Sequence, residues 1–219
     1  MKAVYIGILS HGTTSARRAE TLRQLLAKAD WNLIDTDAAF IRYPRWARTI
    51  AFRLRSGPAV RAINSLILEK LDDHHYDLGL VDKGVYLWPE TVRAIRSRCR
   101  KLVYFTPDTS FYANQSRFFE STASIYDRVV TTKSFDMSRL THLVSGDKVM
   151  LVTQSFDVEL HQPRCRFDEK RKEAVLIGLV NRTGKHAFTH FWMQAFPSEL
   201  WRAGLEQVPE TKELPAGPV

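Results

Sequence analysis

Cysteine is scarce: Cys99 and Cys165 are the only two in 219 residues. They lie far apart and match no metal or redox spacing. That excludes a disulfide scaffold and a cysteine-based zinc site, and the pair reads as incidental thiols of a reducing compartment. There is no P-loop, no glycine-rich dinucleotide fingerprint and no Gly-x-Ser-x-Gly elbow. No apolar run approaches the roughly 20 residues that cross a bilayer. Met1-Lys2 leads straight into the apolar run Ala3–Leu9, which is too short for a signal peptide and reads as a first strand. The expected location is the cytoplasm. Acidic residues are missing from one whole stretch. None falls between Asp37 and Glu69, where Arg42, Arg45, Arg48, Arg53, Arg55 and Arg61 all lie, in a chain of net charge +8. Such a block fits an anionic partner (a phosphate, a lipid surface or nucleic acid), or else a solvated helical face.

What is present is a repeated grammar. Short apolar runs alternate with helical patterns, and each run ends in polar residues. Residues 102–105 close in Thr106-Pro107-Asp108, and Val129-Val130 close in Thr131-Thr132-Lys133-Ser134. Residues 112–121 between them have the pattern of one helix. The same grammar gives strands over 3–9, 31–37, 78–81 and 149–152, with helices over 16–28, 45–56, 58–72, 89–99 and 137–143. Ala19, Leu22, Leu25 and Leu26 form the apolar face expected of the first helix. Gly57-Pro58 breaks the second and third. The fold class expected is α/β, a Rossmann-like parallel sheet flanked by helices, with its working edge at the strand C-termini. Helix 45–56 mixes Trp46, Ile50, Phe52 and Leu54 with arginines. It reads either as a membrane-interface helix or as a core helix whose arginines reach outward.

Three regions are expected: a Rossmann-like domain over 1–160, a polar linker over 161–173, and the start of a second domain over 174–219. Ala174–Gly178 looks like a first strand of that second unit. The aromatic stretch Phe188–Phe196 with Trp192, then Trp201, reads as cover for apolar surface, and the end beyond Glu210 as a disordered tail. His186 and His190 are spaced i, i+4 without a third ligand, so no metal site is expected.

An ordered set of short motifs narrows the reading. Leu9–Ser15, Asp35-Thr36-Asp37, Leu80-Val81-Asp82-Lys83-Gly84, Phe105–Asp108, Asn114–Arg117 ahead of Tyr126-Asp127, Val130–Ser134, Gln154–Asp157 and Glu159–Pro163 occur in sequence. Together they resemble the N-terminal half of bacterial GT-B-type glycosyltransferases, in the group that includes CgeB-like spore-protein transferases. The resemblance runs to about residue 178. It implies two Rossmann-like domains facing across a cleft, the first holding the acceptor and the second a nucleotide-sugar donor, which is a substrate rather than a cofactor. The match ends after Ile177-Gly178. The expected donor domain is therefore truncated or divergent here, and a second chain is one way to supply it.

The candidate catalytic residues are His11, Asp82 and Asp108, as general base or acceptor ligands. The candidate substrate-binding residues are Ser10, Gly12, Thr13, Lys83, Thr106, Thr131, Thr132, Lys133, Gln154 and Asp157. Each also has a plainer reading: loop histidine, helix cap, turn residue or surface lysine. The activity the resemblance implies is glycosyl transfer to an acceptor; the arginine block, Arg42–Arg61, separately fits peripheral membrane contact, and no specific nucleic-acid binding is expected. The alternative is a non-catalytic α/β binding or scaffold module that meets a membrane or an anionic polymer through its arginines. A receiver-like phosphoacceptor domain fits poorly, because the first strand does not end in an acidic pair.

Overall fold

The computed structural model describes residues 1–71, 74–111, 118–153 and 166. The chain divides into two units, Met1–Phe156 and Asp157–Val219. Gln154, Asp157, Asn114–Arg117, Ala174–Gly178, the pair His186 and His190, and Trp192 and Trp201 lie outside the described residues.

The first unit is a six-stranded sheet in the order β2-β1-β3-β4-β5-β6, with every pair parallel. The strands are β1 (Lys2–Gly7), β2 (Asp30–Asp35), β3 (Tyr76–Asp82), β4 (Cys99–Thr106), β5 (Arg128–Thr131) and β6 (Val149–Leu151). The helices are α1 (Thr14–Leu25), α2 (Thr36–Phe40), α3 (Arg45–Leu54), α4 (Pro58–Leu71), α5 (Pro89–Arg98), α6 (Phe119–Thr122) and α7 (Met137–Leu143). This is the expected Rossmann-like α/β arrangement. Among the described residues no helix is long and apolar enough to cross a membrane.

The chain leaves β1 in one direction to reach β2, then crosses back over β1 to reach β3. Right-handed crossovers then place α1 on one face of the sheet and α2–α4 on the other. Side-chain parity agrees. Tyr5 of β1 bonds α1, through its hydroxyl to Ser15 O at 2.9 Å. Val4, Ile6, Val81, Leu102, Tyr104 and Val129 join the core with Ile63 and Ile67 of α4. Gly7 ends β1 where α1 comes closest: a Cβ there would sit 2.7 Å from Ser15 Oγ.

Three expectations change. Thr36–Phe40 is a helix, not the end of strand two; the Asp35 carboxylate starts it by accepting from Asp37 N at 3.0 Å. Leu25 is exposed, so the inner face of α1 rests on Ser15 and Ala19. The reading of 45–56 as a core helix is overturned. In α3 the buried residues are Ala47 and Ala51, while Trp46, Ile50, Phe52 and Leu54 are exposed. Small residues let the helix lie close to α4, and that closeness leaves the large side chains outside.

The core holds several groups as neutral species. Burial is the largest cause raising Tyr5, Tyr104 and Tyr126 above an ordinary phenol, and it pushes the Cys99 thiol up to about 11. In the unfolded chain these groups ionise at ordinary values, so unfolding releases protons at alkaline pH. Their contribution to stability is complete below the unfolded values and falls as pH rises towards the folded ones. We expect a thermal midpoint that is flat from about pH 7 to about pH 8.5 and declines steadily above about pH 9. A midpoint unchanged up to about pH 10.5 would contradict the buried neutral assignment.

Candidate functional site

The sheet reverses its winding between β1 and β3, and the carboxyl ends of those strands diverge there. In open α/β sheets this switch point is where ligands bind. A cleft of about 200 Å³ opens at that position. Ile6, Ile8 and Ile63 line it together with Thr36, Asp37 and Phe40 of α2, Phe52 and Arg55 at the end of α3, and the segment from Asp82 to Leu87.

The aromatic wall is built from separate elements. Phe40 and Tyr86 stack with centroids 5.3 Å apart. The Arg55 guanidinium lies 4.6 Å from the Phe52 ring centroid and 5.4 Å from that of Tyr86, and its Nη1 donates to Tyr86 Oη at 3.4 Å. Burial raises the Tyr86 hydroxyl above an ordinary phenol, with Arg55 opposing. Arg55 closes α3 in the left-handed region, at φ 50°.

The loop that carries Tyr86 is pinned from behind. Asn64 of α4 is buried and uses its whole amide: Nδ2 donates to Val60 O at 2.8 Å and to Tyr86 O at 2.9 Å, and Oδ1 accepts from Trp88 N at 2.9 Å. Lys83 and Gly84 both take positive φ, at 69° and 49°. A lysine in that region carries a backbone cost on the order of 1–2 kcal/mol. Two bonds hold it there: Lys83 N donates to Phe105 O, and Tyr104 Oη donates to Lys83 O, both at 2.8 Å. Gly84 has a second reason to be glycine, because a Cβ would lie 2.8 Å from Val81 Cγ1.

Many residues read from sequence as a ligand set turn out to cross-link the sheet edge. Ser10 Oγ donates to the Asp37 carboxylate, and Leu9 N donates to Asp35 at 3.0 Å, tying β1 to β2 and α2. Lys83 Nζ pairs with Asp108 at 2.9 Å, joining the ends of β3 and β4. Thr132 Oγ1 donates to Pro107 O at 2.9 Å, joining β5 to β4. Thr13 caps α1 by accepting from Ala16 N at 3.2 Å. Thr106 shapes its own turn through Asp108, and the fully buried Thr131 accepts from Lys133 N at 3.1 Å. His11 and Gly12 are exposed on the turn after β1, Gly12 at φ 82°, and neither lines the cleft. Lys133 is half-buried at the end of β5, also outside the lining.

Asp82 contributes to the cleft floor, but its carboxylate belongs to the other face of the sheet. Tyr5 donates to Oδ2, and Arg18 reaches the same oxygen from Nε at 2.9 Å and from Nη2 at 2.8 Å. Arg18 also lies 4.7 Å from the Phe105 ring centroid. This ion pair commits Asp82 to holding α1 on the sheet, so a role as general base is not what the geometry offers. Among the described residues no group of three His, Cys, Asp or Glu side chains forms a metal site.

Sequence reasoning missed Arg18, Tyr5 and Asn64 altogether, and placed Arg55 in an anion-binding arginine block rather than at the cleft. One signal was available: a tyrosine inside a run of aliphatics needs a partner for its hydroxyl once buried. Neither a scan against protein-family models nor a search of curated proteins finds a match to this chain.

Proposed function

We propose that the Rossmann-like unit is the acceptor-side half of a GT-B-type glycosyltransferase, completed by a donor-binding half from elsewhere in the chain or from a second chain. The observation that carries the proposal is the switch-point cleft, with its aromatic wall of Phe40, Phe52 and Tyr86 beside Arg55 and Asp37. Aromatic faces suit the C–H face of a sugar ring, and a carboxylate next to a guanidinium suits its hydroxyls. In the transfer, an acceptor hydroxyl attacks the anomeric carbon, the bond from that carbon to the diphosphate breaks, and the nucleoside diphosphate leaves. The hydroxyl proton passes to a base. The cleft's part is to hold and orient the acceptor, which converts a bimolecular encounter into a positioned one.

Saturation-transfer NMR on the full chain, against a panel of mono- and oligosaccharides, tests this. At least one saccharide should receive saturation, and Tyr86→Ala should weaken it by roughly fivefold, the scale of about 1 kcal/mol for one lost ring contact. Nucleotide sugars added alone should not be turned over. No saccharide contact, or contact indifferent to Tyr86→Ala, would refute the acceptor role.

A further inference from the structure

We infer that α3 and the turn before it dock the protein on an anionic phospholipid bilayer. Three observations converge. Trp46, Ile50 and Leu54 recur at i, i+4 and i+8, so they form one stripe along the helix. That stripe faces solvent: Trp46 is 64% and Leu54 62% exposed, and Ile41, just ahead of α3, is 57% exposed. Exposed Arg45 and Arg53 flank it on the helix and exposed Arg42 precedes it, in a stretch without one acidic residue between Asp37 and Glu69.

A protein partner of ordinary composition would be met by a mixed-charge rim. Here the stretch that carries the stripe has charges of one sign only, from Arg42 to Arg61. An apolar stripe framed by arginines matches the layered chemistry of a bilayer surface: acyl chains below, phosphates at the level the guanidinium groups reach. Neither half suffices alone, since shallow apolar insertion is weak and charge alone gives only a diffuse layer. The two are combined on this helix. The docking is independent of what the cleft binds.

Flotation of the full chain with vesicles tests it, using phosphatidylcholine with about one third phosphatidylglycerol against phosphatidylcholine alone. The chain should float with the anionic vesicles only. Arg42→Gln/Arg45→Gln/Arg53→Gln should lower the bound fraction at least tenfold. Trp46→Ser/Ile50→Ser/Leu54→Ser should lower it as far with all charges kept. All six positions are exposed, and a circular-dichroism melt matching the parent confirms that each variant is folded. Arg93→Gln/Arg100→Gln/Lys101→Gln, equally exposed on other elements, should float like the parent. No flotation by the parent, equal loss in that last variant, or retention on heparin without flotation would overturn the inference.

Discussion

Arg18→Leu will destabilise the domain by about 3 kcal/mol, because it leaves a buried carboxylate without its counter-charge. The side chain of Asp82 is fully buried, and both contacts from Arg18 fall on one of its oxygens. The other oxygen, Oδ1, is buried with no hydrogen-bond partner among the described residues. Removing the guanidinium leaves only the Tyr5 hydroxyl on the anion. The substitution also removes the guanidinium from the Phe105 ring face, so the double-mutant cycle, rather than the single variant, isolates the ion pair. Arg18 is about a quarter exposed. Water can therefore replace part of what is lost, which sets the expectation at the lower end of the range for broken buried pairs. Adding Asp82→Asn to Arg18→Leu should recover at least about 1 kcal/mol, since an amide costs less to bury than an unpaired anion. Urea denaturation of the four proteins of the cycle measures it. A single variant within about 0.5 kcal/mol of the parent would mean that the pair does not hold α1 to the sheet.

Asn64→Leu should cost a similar amount and change the cleft as well. The substitution keeps the branched shape of the side chain but replaces both polar ends with bulkier methyl groups, at a site that is 1% exposed. It strands the Tyr86 carbonyl and the Trp88 N–H, which the asparagine amide satisfies from both of its ends. Each buried backbone group left unpaired costs about 1–3 kcal/mol. The expected loss is about 3 kcal/mol, with saccharide contact at the cleft lost well before the midpoint of unfolding. Ser65→Ala, on the exposed side of α4, should change stability by less than about 0.5 kcal/mol. If Asn64→Leu melts like the parent, the loop from Gly84 to Trp88 is held by something other than this amide.

The sheet was legible in the sequence because parallel strands buried on both faces read as unbroken apolar runs, and residues 3–9, 78–81, 102–105 and 129–130 are such runs. The helix Thr36–Phe40 was not. Five residues are too few for a 3.6-residue period to show, and its start depends on an Asp35 carboxylate that also reads as a strand end. The inverted burial of α3 has a different cause. Periodicity says which residues share a face, not which way that face points, and Trp46, Ile50 and Leu54 satisfy either orientation. The paired alanines, Ala47 and Ala51, decide it, and alanine carries little weight in a hydrophobic count. The site was legible only as an edge. The polar strand ends were found, but their partners come from positions 25 to 77 residues apart in sequence, as with Thr132 and Pro107 or Tyr5 and Asp82, and spacing along a chain does not encode such pairs. Strand parity then decided the fate of Asp82, sending its carboxylate to the α1 face while its backbone stayed at the cleft.

The alanines of α3 have one more consequence. A helix seated on two methyl groups is held by roughly 1–2 kcal/mol of burial, a small part of the stability of a domain this size. Substitutions on its outer stripe can accumulate, swapping tryptophan for leucine or arginine for lysine, without moving a strand or closing the cleft. The outer face of α3 and the sheet can therefore evolve at different rates: the first is tied to the domain by little burial, while the second is constrained by every bond that crosses the carboxyl edge.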